Sequence, residues 1–229
     1  MDQAEIKIIA RMKSDFKTKF GIPRQSGLVD SLHSTIVFEP EYRNSDALRG
    51  LEDFSHLWII WQFSKAVGKQ WTPTVRPPRL GGNKRIGVFA TRSPFRPNSL
   101  GLSSVKILGI EQTTKYGAVI HVSGADLMDS TPIFDIKPYI PYADCHPDAV
   151  GGFTESADEY ILQVDIPEDL LSKIPESKRQ TVIDVLSHDP RPSYHEDSDR
   201  IYGMSFGNLN IQFQVQSSLL TVCNITTDG

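Results

Sequence analysis

The sequence predicts a mainly β protein, with a β-barrel or β-sandwich over most of the chain and a smaller α+β domain at the end. Two observations carry this prediction. Short apolar segments recur at close spacing between Gly- and Pro-containing turns, which is typical of antiparallel β folds. Near the end, residues 209–215 alternate strictly between apolar and amide side chains, after two segments of helical character.

The first quarter of the chain predicts three strands and a helical turn. Residues 5–12 (EIKIIARM) and 34–40 (STIVFEP) are predicted strands, and the Gly and Pro residues between them indicate a loop. Residues 44–50 predict one or two helical turns that begin at a polar cap and stop at a glycine. Residues 53–63 (DFSHLWIIWQF) are apolar enough for a central strand buried on both faces.

A loop and four further strands follow. Residues 68–85 contain three prolines and three glycines, so no regular element is predicted there. Loops of this length inside a domain are usually functional or mobile. The next predicted strands are residues 86–91, 102–110, 118–124 and 132–140.

The composition becomes more polar after about residue 143, which divides the chain into predicted domains at residues 1–145 and 146–229. The second domain is predicted to contain helices at 167–175 and 177–189 and strands at 201–206, 209–215 and 219–225.

The net charge of -4 conceals a strong asymmetry. Between Phe54 and Ile110 there are nine Lys or Arg residues and no Asp or Glu. A basic segment in an acidic protein indicates an anionic partner, such as a phosphate, a nucleic acid or a carboxylate ligand. A solvated basic face that binds nothing is the alternative.

Cysteine usage and hydropathy predict a cytoplasmic protein. The chain has two cysteines, Cys145 and Cys223, which we expect to be free and reduced. Neither has a Cys or His partner at ligand spacing, so no metal site is predicted. The first residues lack the features of a signal peptide, and no apolar run reaches the roughly 18 residues of a transmembrane helix.

The familiar enzyme motifs are missing from the sequence: it has no Gly-x-Gly, P-loop, Gly-x-Ser-x-Gly or His-Glu-x-x-His. Residues 85–102 (RIGVFATRSPFRPNSLGL) instead combine three arginines with two prolines and no acid. Arginine forks suit carboxylates and phosphates, and proline fixes the backbone that presents them. Residues 23–27, 135–139 and 189–192 are similar in character, which favours a converging site over isolated solvated turns.

At these segments the chain resembles the TrmO (YaeB, TsaA-like) family of tRNA methyltransferases. The matching stretches are FGIPRQSGLV (20–29), RGLEDFSHLWIIW (49–61), TVRPPRLGGNKRIGVFATRSPFRPNSLGLS (74–103), DLMDSTPIFDIKPYIPYAD (126–144) and LSHDPRPSY (186–194). They lie in both halves of the chain, and the long central stretch is highly specific.

The resemblance implies an antiparallel β-barrel that binds S-adenosylmethionine, unlike a Rossmann fold, followed by the smaller C-terminal α+β domain. It implies methyl transfer from S-adenosylmethionine to the N6 nitrogen of N6-threonylcarbamoyladenosine, the modified base next to the anticodon of certain tRNAs. It also implies a cytoplasmic homodimer whose cofactor lies near the interface.

Carried over by motif, the resemblance also implies site residues. The implied cofactor contacts are Gln25, Ser26, Gly27, Phe63, Ser64, Arg92, Leu102, Ser123, Gly124, Ala125 and Asp126. Arg92 is expected to hold the methionine carboxylate and Asp126 to accept from ribose hydroxyls or the amino group. Core packing is an equally good explanation for Phe63.

The same motifs imply contacts to tRNA phosphate or to the threonyl carboxylate. The implied residues are Arg79, Lys84, Arg85, Arg96 and Lys137. Asp126 and Asp135 are weak candidates for a general base, since both are acids in matched motifs. Residues 189–192 and Tyr194 are candidates for closing the site from the C-terminal domain.

Two other functions fit the sequence. One is an RNA-binding β-barrel without catalysis, which would bind tRNA but not S-adenosylmethionine. The other is a methyltransferase that acts on a small molecule, which would bind S-adenosylmethionine without a preference for tRNA.

Overall fold

A computed structural model describes residues 4–68, 70–77, 80, 82, 84–155, 160–191 and 197–227. Its strands are β1 (Ala10–Lys13), β2 (His33–Phe38), β3 (His56–Gln62), β4 (Thr74–Val75), β5 (Ile86–Gly87), β6 (Leu100–Thr113), β7 (Gly117–Ser123), β8 (Pro132–Pro138), β9 (Gln163–Asp165), β10 (Tyr202–Phe206), β11 (Leu209–Gln216) and β12 (Leu219–Thr227). Its α-helices are α1 (Pro141–Asp144), α2 (Glu168–Leu171) and α3 (Glu176–Ser187). The protein is therefore mainly β, as predicted.

Six strands form a closed ring in the order β1-β2-β7-β6-β3-β8, and every neighbouring pair is antiparallel. Strand β3 shows how the sequence builds the ring. Its side chains alternate, with Leu57, Ile59 and Trp61 buried and the residues between them half-buried. The expectation of a strand buried on both faces is therefore only partly correct, because the outer face of β3 stays half open to solvent.

The C-terminal strands form a second sheet, in the order β10-β11-β12-β9. The alternation seen in the sequence is real: Leu209, Ile211, Phe213 and Val215 are buried. Helix α3 contributes Val182, Val185 and Leu186 to the same apolar cluster. Apolar side chains from the sheet and the helix thus form one continuous core.

The segment between β1 and β2 joins the two sheets. Phe16, Val29 and Leu32 belong to the C-terminal apolar cluster, although they lie far from it in sequence. The Phe16 and Phe206 rings meet edge to face with centroids 5.4 Å apart. Lys178 on α3 pairs with Asp15, whose carbonyl also accepts from the Gly207 N–H at 2.7 Å.

Some predicted elements differ from the structure. The first strand is Ala10–Lys13, because only this part pairs with β2 and β8. The strand predicted at 86–91 stops at Gly87 and continues as a 3-10 helix, Val88–Ala90, whose first N–H donates to the Pro73 carbonyl at 2.9 Å. The short strands β4 and β9 have no counterpart among the predictions. Strand β4 lies within residues 68–85, where no regular element is predicted, and it forms by pairing with β5. No helix in the described part of the chain is long and apolar enough to cross a membrane.

Candidate functional site

A cavity of about 960 Å³ opens beside β3, at the upper end of the size range of small-molecule sites. Its wall comes from four separate segments, at residues 19–25, 60–66, 89–102 and 126–131. Each of the four overlaps one of the stretches on which the family resemblance rests: 20–29, 49–61, 74–103 and 126–144. The fold therefore brings together residues that are about 100 positions apart in the chain.

Gln25 and Arg92 meet in this wall. The Arg92 guanidinium donates a hydrogen bond to the side-chain oxygen of Gln25, which links the first motif to the central one. A guanidinium has five N–H donors in a planar fork, so this contact leaves other donors for an anion in the cavity.

Asp126 lies at the end of a buried hydrogen-bond chain. The Trp61 indole N–H donates to the Ser103 hydroxyl at 2.9 Å, and that hydroxyl donates to Oδ1 of Asp126 at 2.6 Å. Ser103 and Trp61 are both buried, so the chain is shielded from solvent. Because each hydroxyl has one donor and two acceptor sites, Ser103 satisfies both neighbours at once.

Burial raises the pKa of the Asp126 carboxyl above its ordinary value. Hydrogen bonds from Ser103 and from the backbone N–H of Ser26 act in the opposite direction, as does the positive charge of Arg92. Burial outweighs them. The carboxylate therefore stands in an apolar setting that favours a partner able to donate hydrogen bonds to it.

Gly101 makes room for the Trp61 ring. The two residues are register partners on β6 and β3, and a Cβ at Gly101 would overlap the indole. The same ring packs on Phe63, with centroids 4.3 Å apart. A glycine at this position therefore decides where the indole N–H points, and so where Ser103 and Asp126 sit.

The structure distributes the implied cofactor residues over the cavity wall and the layer behind it. Six of them line the cavity: Gln25, Phe63, Ser64, Arg92, Leu102 and Asp126. The other five do not line the cavity but lie within three residues of Gln25 or Asp126 in the chain: Ser26, Gly27, Ser123, Gly124 and Ala125. The N–H of Gly27 donates to the Gly124 carbonyl at 2.9 Å, which holds the first and last of these segments together.

The implied tRNA contacts are less concentrated. Arg96 lines the cavity, and its guanidinium is held by the Thr91 carbonyl at 3.0 Å. Lys84 and Arg85 are exposed near the β4–β5 pair and do not line the cavity. Lys137 pairs with Asp135 at 3.1 Å, on β8 and also outside the cavity wall.

Two implied positions, Arg79 and Tyr194, lie outside the described residues, as does Pro192 of the 189–192 segment. The rest of that segment is close to residues 23–27, because Arg24 donates to the Arg191 carbonyl at 3.3 Å. Arg191 itself forms a two-point ion pair with Asp189, at 2.8 and 2.9 Å.

Trp61 and Ser103 are site residues that sequence reasoning missed. Both lie on strands predicted from their apolar character, which suggested core packing. A signal was nevertheless present in β6: Gly101 and Ser103 are small residues at successive inward positions, opposite a strand rich in large side chains. Small residues on one face of a strand indicate that something bulky approaches it.

Within the described residues, no group of three His, Cys, Asp or Glu side chains is placed to hold a metal ion. Cys145 and Cys223 are both free thiols and exposed.

Comparison with known proteins decides the family. The model of the tRNA-methyltransferase O N-terminal domain matches residues 11–145, and that of the TrmO C-terminal domain matches residues 159–228. The chain belongs to the TrmO family. This result confirms the resemblance noted in the sequence.

Relatives and solved structures of the TrmO family cover nearly the whole chain. The tRNA (adenine(37)-N6)-methyltransferase of Escherichia coli (strain K12) is 39% identical over 223 residues, 94% of each chain. The protein of the same name from Eikenella corrodens is 41% identical over 170 residues, 74% of this chain and 95% of its own. The crystal structure of TrmO from Pseudomonas aeruginosa aligns with a TM-score of 0.79 at 30% identity, over 98% of this chain and 100% of that one.

Proposed function

We propose that this chain transfers the methyl group of S-adenosylmethionine to N6 of the adenosine at tRNA position 37, with N6-threonylcarbamoyladenosine as the substrate base. The observation that carries the proposal is the convergence of Gln25, Arg92 and Asp126 on one cavity in a member of the TrmO family. Relatives that span most of the chain are named tRNA (adenine(37)-N6)-methyltransferase. A further relative, 38% identical over 213 residues, has S-adenosylmethionine-dependent methyltransferase in its name.

The donor set of the cavity fits S-adenosylmethionine. Arg92 supplies a guanidinium for the methionine carboxylate, and Asp126 supplies a buried acceptor for hydroxyl or amino donors. Phe63 and Leu102 add apolar surface for the flat and aliphatic parts of the molecule. When bound, S-adenosylmethionine supplies an electrophilic methyl group on a sulfonium.

The chain's own contribution is to position these partners. Gln25 fixes the Arg92 fork, and Ser103 fixes the Asp126 carboxylate, so neither side chain has to be ordered when the ligand arrives. Pre-ordered groups that hold two reactants in line supply much of the rate of a group transfer. We assign positioning to Asp126, and we place no general-base role on Asp135, which pairs with Lys137.

The tRNA contacts belong to the basic surface around the cavity. Among the described residues, the cavity is lined by one carboxylate, Asp126, and by five cationic side chains: Lys19, Arg24, Lys65, Arg92 and Arg96. Such a surface attracts a polyanion and neutralises its phosphates, with a strong salt dependence. We extend this role to Lys84, Arg85, Lys137 and Arg79.

The finer architecture is also part of the proposal. We infer that the six-strand ring is the S-adenosylmethionine-binding β-barrel, that residues 1–145 and 146–229 act as two domains, and that the protein is a cytoplasmic homodimer. Light scattering of the purified protein measures the mass directly, and a monomer at micromolar concentration would contradict the dimer.

The function is tested with methyl-labelled S-adenosylmethionine and two tRNA pools, from cells able and unable to make threonylcarbamoyladenosine. We expect label in the first pool only. Label in both pools would place the transfer on another base, and label in neither would remove the methyltransferase assignment. Arg92→Ala should abolish incorporation, while Arg49→Ala, a change at an exposed ion pair with Asp46, is the matched control.

A further inference from the structure

Phe89 is an exposed aromatic side chain in the 3-10 turn Val88–Ala90. Phe89 is 72% exposed, whereas the preceding Val88 is 1% exposed. An exposed aromatic ring beside a cavity presents a flat apolar face on which a planar ligand can stack. The Phe89 ring lines the mouth of the cavity.

The turn that carries Phe89 is braced from both sides. The N–H of Val88 donates to the Pro73 carbonyl at 2.9 Å, and the Val88 carbonyl accepts from both the N–H and the hydroxyl of Thr91. Arg96 then holds the Thr91 carbonyl at 3.0 Å. The ring is therefore presented on a fixed backbone, and little order would be lost when a partner stacks on it.

The surroundings of the ring are strongly basic. Arg92 and Arg96 follow it in the same cavity wall, and the whole stretch from Phe54 to Ile110 contains no Asp or Glu. Phe89 thus offers a flat apolar face inside a positive field. Aromatic faces set among cations are the arrangement by which proteins hold unpaired nucleotides, with phosphates on the cations and bases on the rings.

We propose that Phe89 is a stacking platform for an unpaired nucleobase of the tRNA anticodon loop at the mouth of the cavity. The inference rests on the proposed function and adds the place where the substrate loop is gripped. An enzyme that modifies a base must first take it out of its stack, and a ring beside the cavity replaces part of the stacking that is lost.

The adenine of S-adenosylmethionine is a poorer match for this ring. Its hydrogen-bonding partners are expected at Gln25 and Asp126, and the Ser103 hydroxyl that holds Asp126 is completely buried. Phe89 instead lies at the open rim, where a polyanion would approach. RNA carries a negative charge at every phosphate and therefore matches a surface of this sign.

The test measures binding of an anticodon stem–loop RNA by fluorescence anisotropy, and binding of S-adenosylmethionine by calorimetry. Phe89→Ala should weaken RNA binding about tenfold, Phe89→Tyr should restore it, and the slope of affinity against salt should not change because no charge is removed. Affinity for S-adenosylmethionine should stay the same. Phe54→Ala, at a ring that is 39% exposed and outside the cavity wall, is the control.

Abasic nucleotides in the loop make the test specific. At one loop position, removal of the base should abolish most of the difference between wild type and Phe89→Ala, because both changes delete the same contact. Equal RNA affinity of the wild type and Phe89→Ala would overturn the proposal. So would an equal loss of S-adenosylmethionine affinity, or a change of oligomeric mass in Phe89→Ala. Failure of the wild type itself to bind RNA would instead count against the proposed function.

Discussion

The six-strand ring and the C-terminal sheet differ in the polar side chains that they bury and in whether a cavity lies beside the core. Among the described residues, the buried Ser and Thr side chains on the ring side are Ser34, Ser103, Ser123 and Thr131, whereas the one in the C-terminal part is Thr181. Thr181 is also satisfied locally, since its hydroxyl donates to the Ser31 carbonyl at 2.8 Å. The ring keeps a large cavity beside its core, while the C-terminal sheet is closed by α3 and a cluster of aromatic rings.

From this difference we expect the C-terminal core to supply folding stability and the cavity beside the ring to bind the ligand. A closed apolar core contributes free energy of folding in proportion to the area it buries. Polar groups held at the edge of a cavity contribute little to folding, but they are ready to meet a ligand. Substitutions in the two regions should therefore affect different measurements, and each of the following experiments tests that separation.

The largest effect is expected in the C-terminal core. Phe213 is fully buried and stacks on Tyr202 with ring centroids 5.7 Å apart. Phe213→Ala should lower the free energy of unfolding by about 3–5 kcal/mol, through lost burial and the cavity left behind. Urea unfolding measures this loss. Gln216→Ala on the exposed face of β11 should change it by less than about 0.5 kcal/mol.

The folded fraction of Phe213→Ala should still bind S-adenosylmethionine with wild-type affinity in calorimetry. A Phe213→Ala protein that keeps wild-type stability but loses affinity would break the separation between the two regions.

Arg92 should show the opposite behaviour. Arg92→Lys keeps the charge but removes the planar fork, so about 1.5–3 kcal/mol of binding should be lost, roughly ten- to a hundredfold in the dissociation constant of S-adenosylmethionine. Calorimetry measures this dissociation constant, with Arg49→Lys as the control. The midpoint of urea unfolding should stay unchanged; a shift comparable to that of Phe213→Ala would show that Arg92 supports the fold.

Ser103 tests the hydrogen-bond chain. Ser103→Ala removes the donor that lowers the pKa of Asp126, so this carboxyl should protonate at higher pH than in the wild type. Loss of S-adenosylmethionine binding on acidification should therefore begin at higher pH, and affinity at neutral pH should fall about two- to tenfold. The positive charges facing Asp126 are Arg92 directly and the other cations of the cavity wall. The Ser103→Ala variant retains all of them.

Ser104→Ala, on the opposite face of β6, is the matched control for this pH profile. Identical profiles for Ser103→Ala and the wild type would show that Asp126 does not hold the ligand through its charge.

The smallest expected effect is on how the stability of the folded protein varies with pH. Burial raises the pKa of Asp126 in the folded protein, so the folded state binds more protons than the unfolded state between the two pKa values. The ionised carboxylate therefore reduces stability as pH rises through that window. Asp126→Asn should raise Tm slightly at neutral pH, and the gain should shrink on acidification; Asp165→Asn, at an exposed position of β9, should show no such trend. A lower Tm at neutral pH would contradict the direction.

The elements that could be predicted are those with a strong local pattern. The alternation of 209–215 and the apolar face of 177–189 correspond to β11 and α3 within two residues. Strand β9 could not be predicted, because its three residues become a strand only by pairing in parallel with β12. Residues 86–91 have strand-like composition, but the Thr91 N–H donates to the Val88 carbonyl at 3.1 Å and closes a 3-10 turn.

The candidate site likewise contains residues that could be predicted from the sequence and residues that could not. Arg92 and Asp126 stand in polar motifs that attract notice in the sequence. Ser103 lies in an apolar strand, and its role appears only when β3 and β6 pair and bring the Trp61 indole to it. Residues that act through a neighbour leave no separate signal in a single sequence, because their chemistry depends on register.

The segment between β1 and β2 couples ligand binding in the cavity to the stability of the C-terminal core. Phe16 precedes the cavity residues Ile22 to Gln25, Val29 and Leu32 follow them, and all three lie in the C-terminal core. The loop can keep its shape only while that core is closed. A ligand that holds the loop therefore works against opening of the distant sheet, so backbone amides of β10 and β11 should exchange with deuterium more slowly when the cavity is filled, although they never touch the ligand.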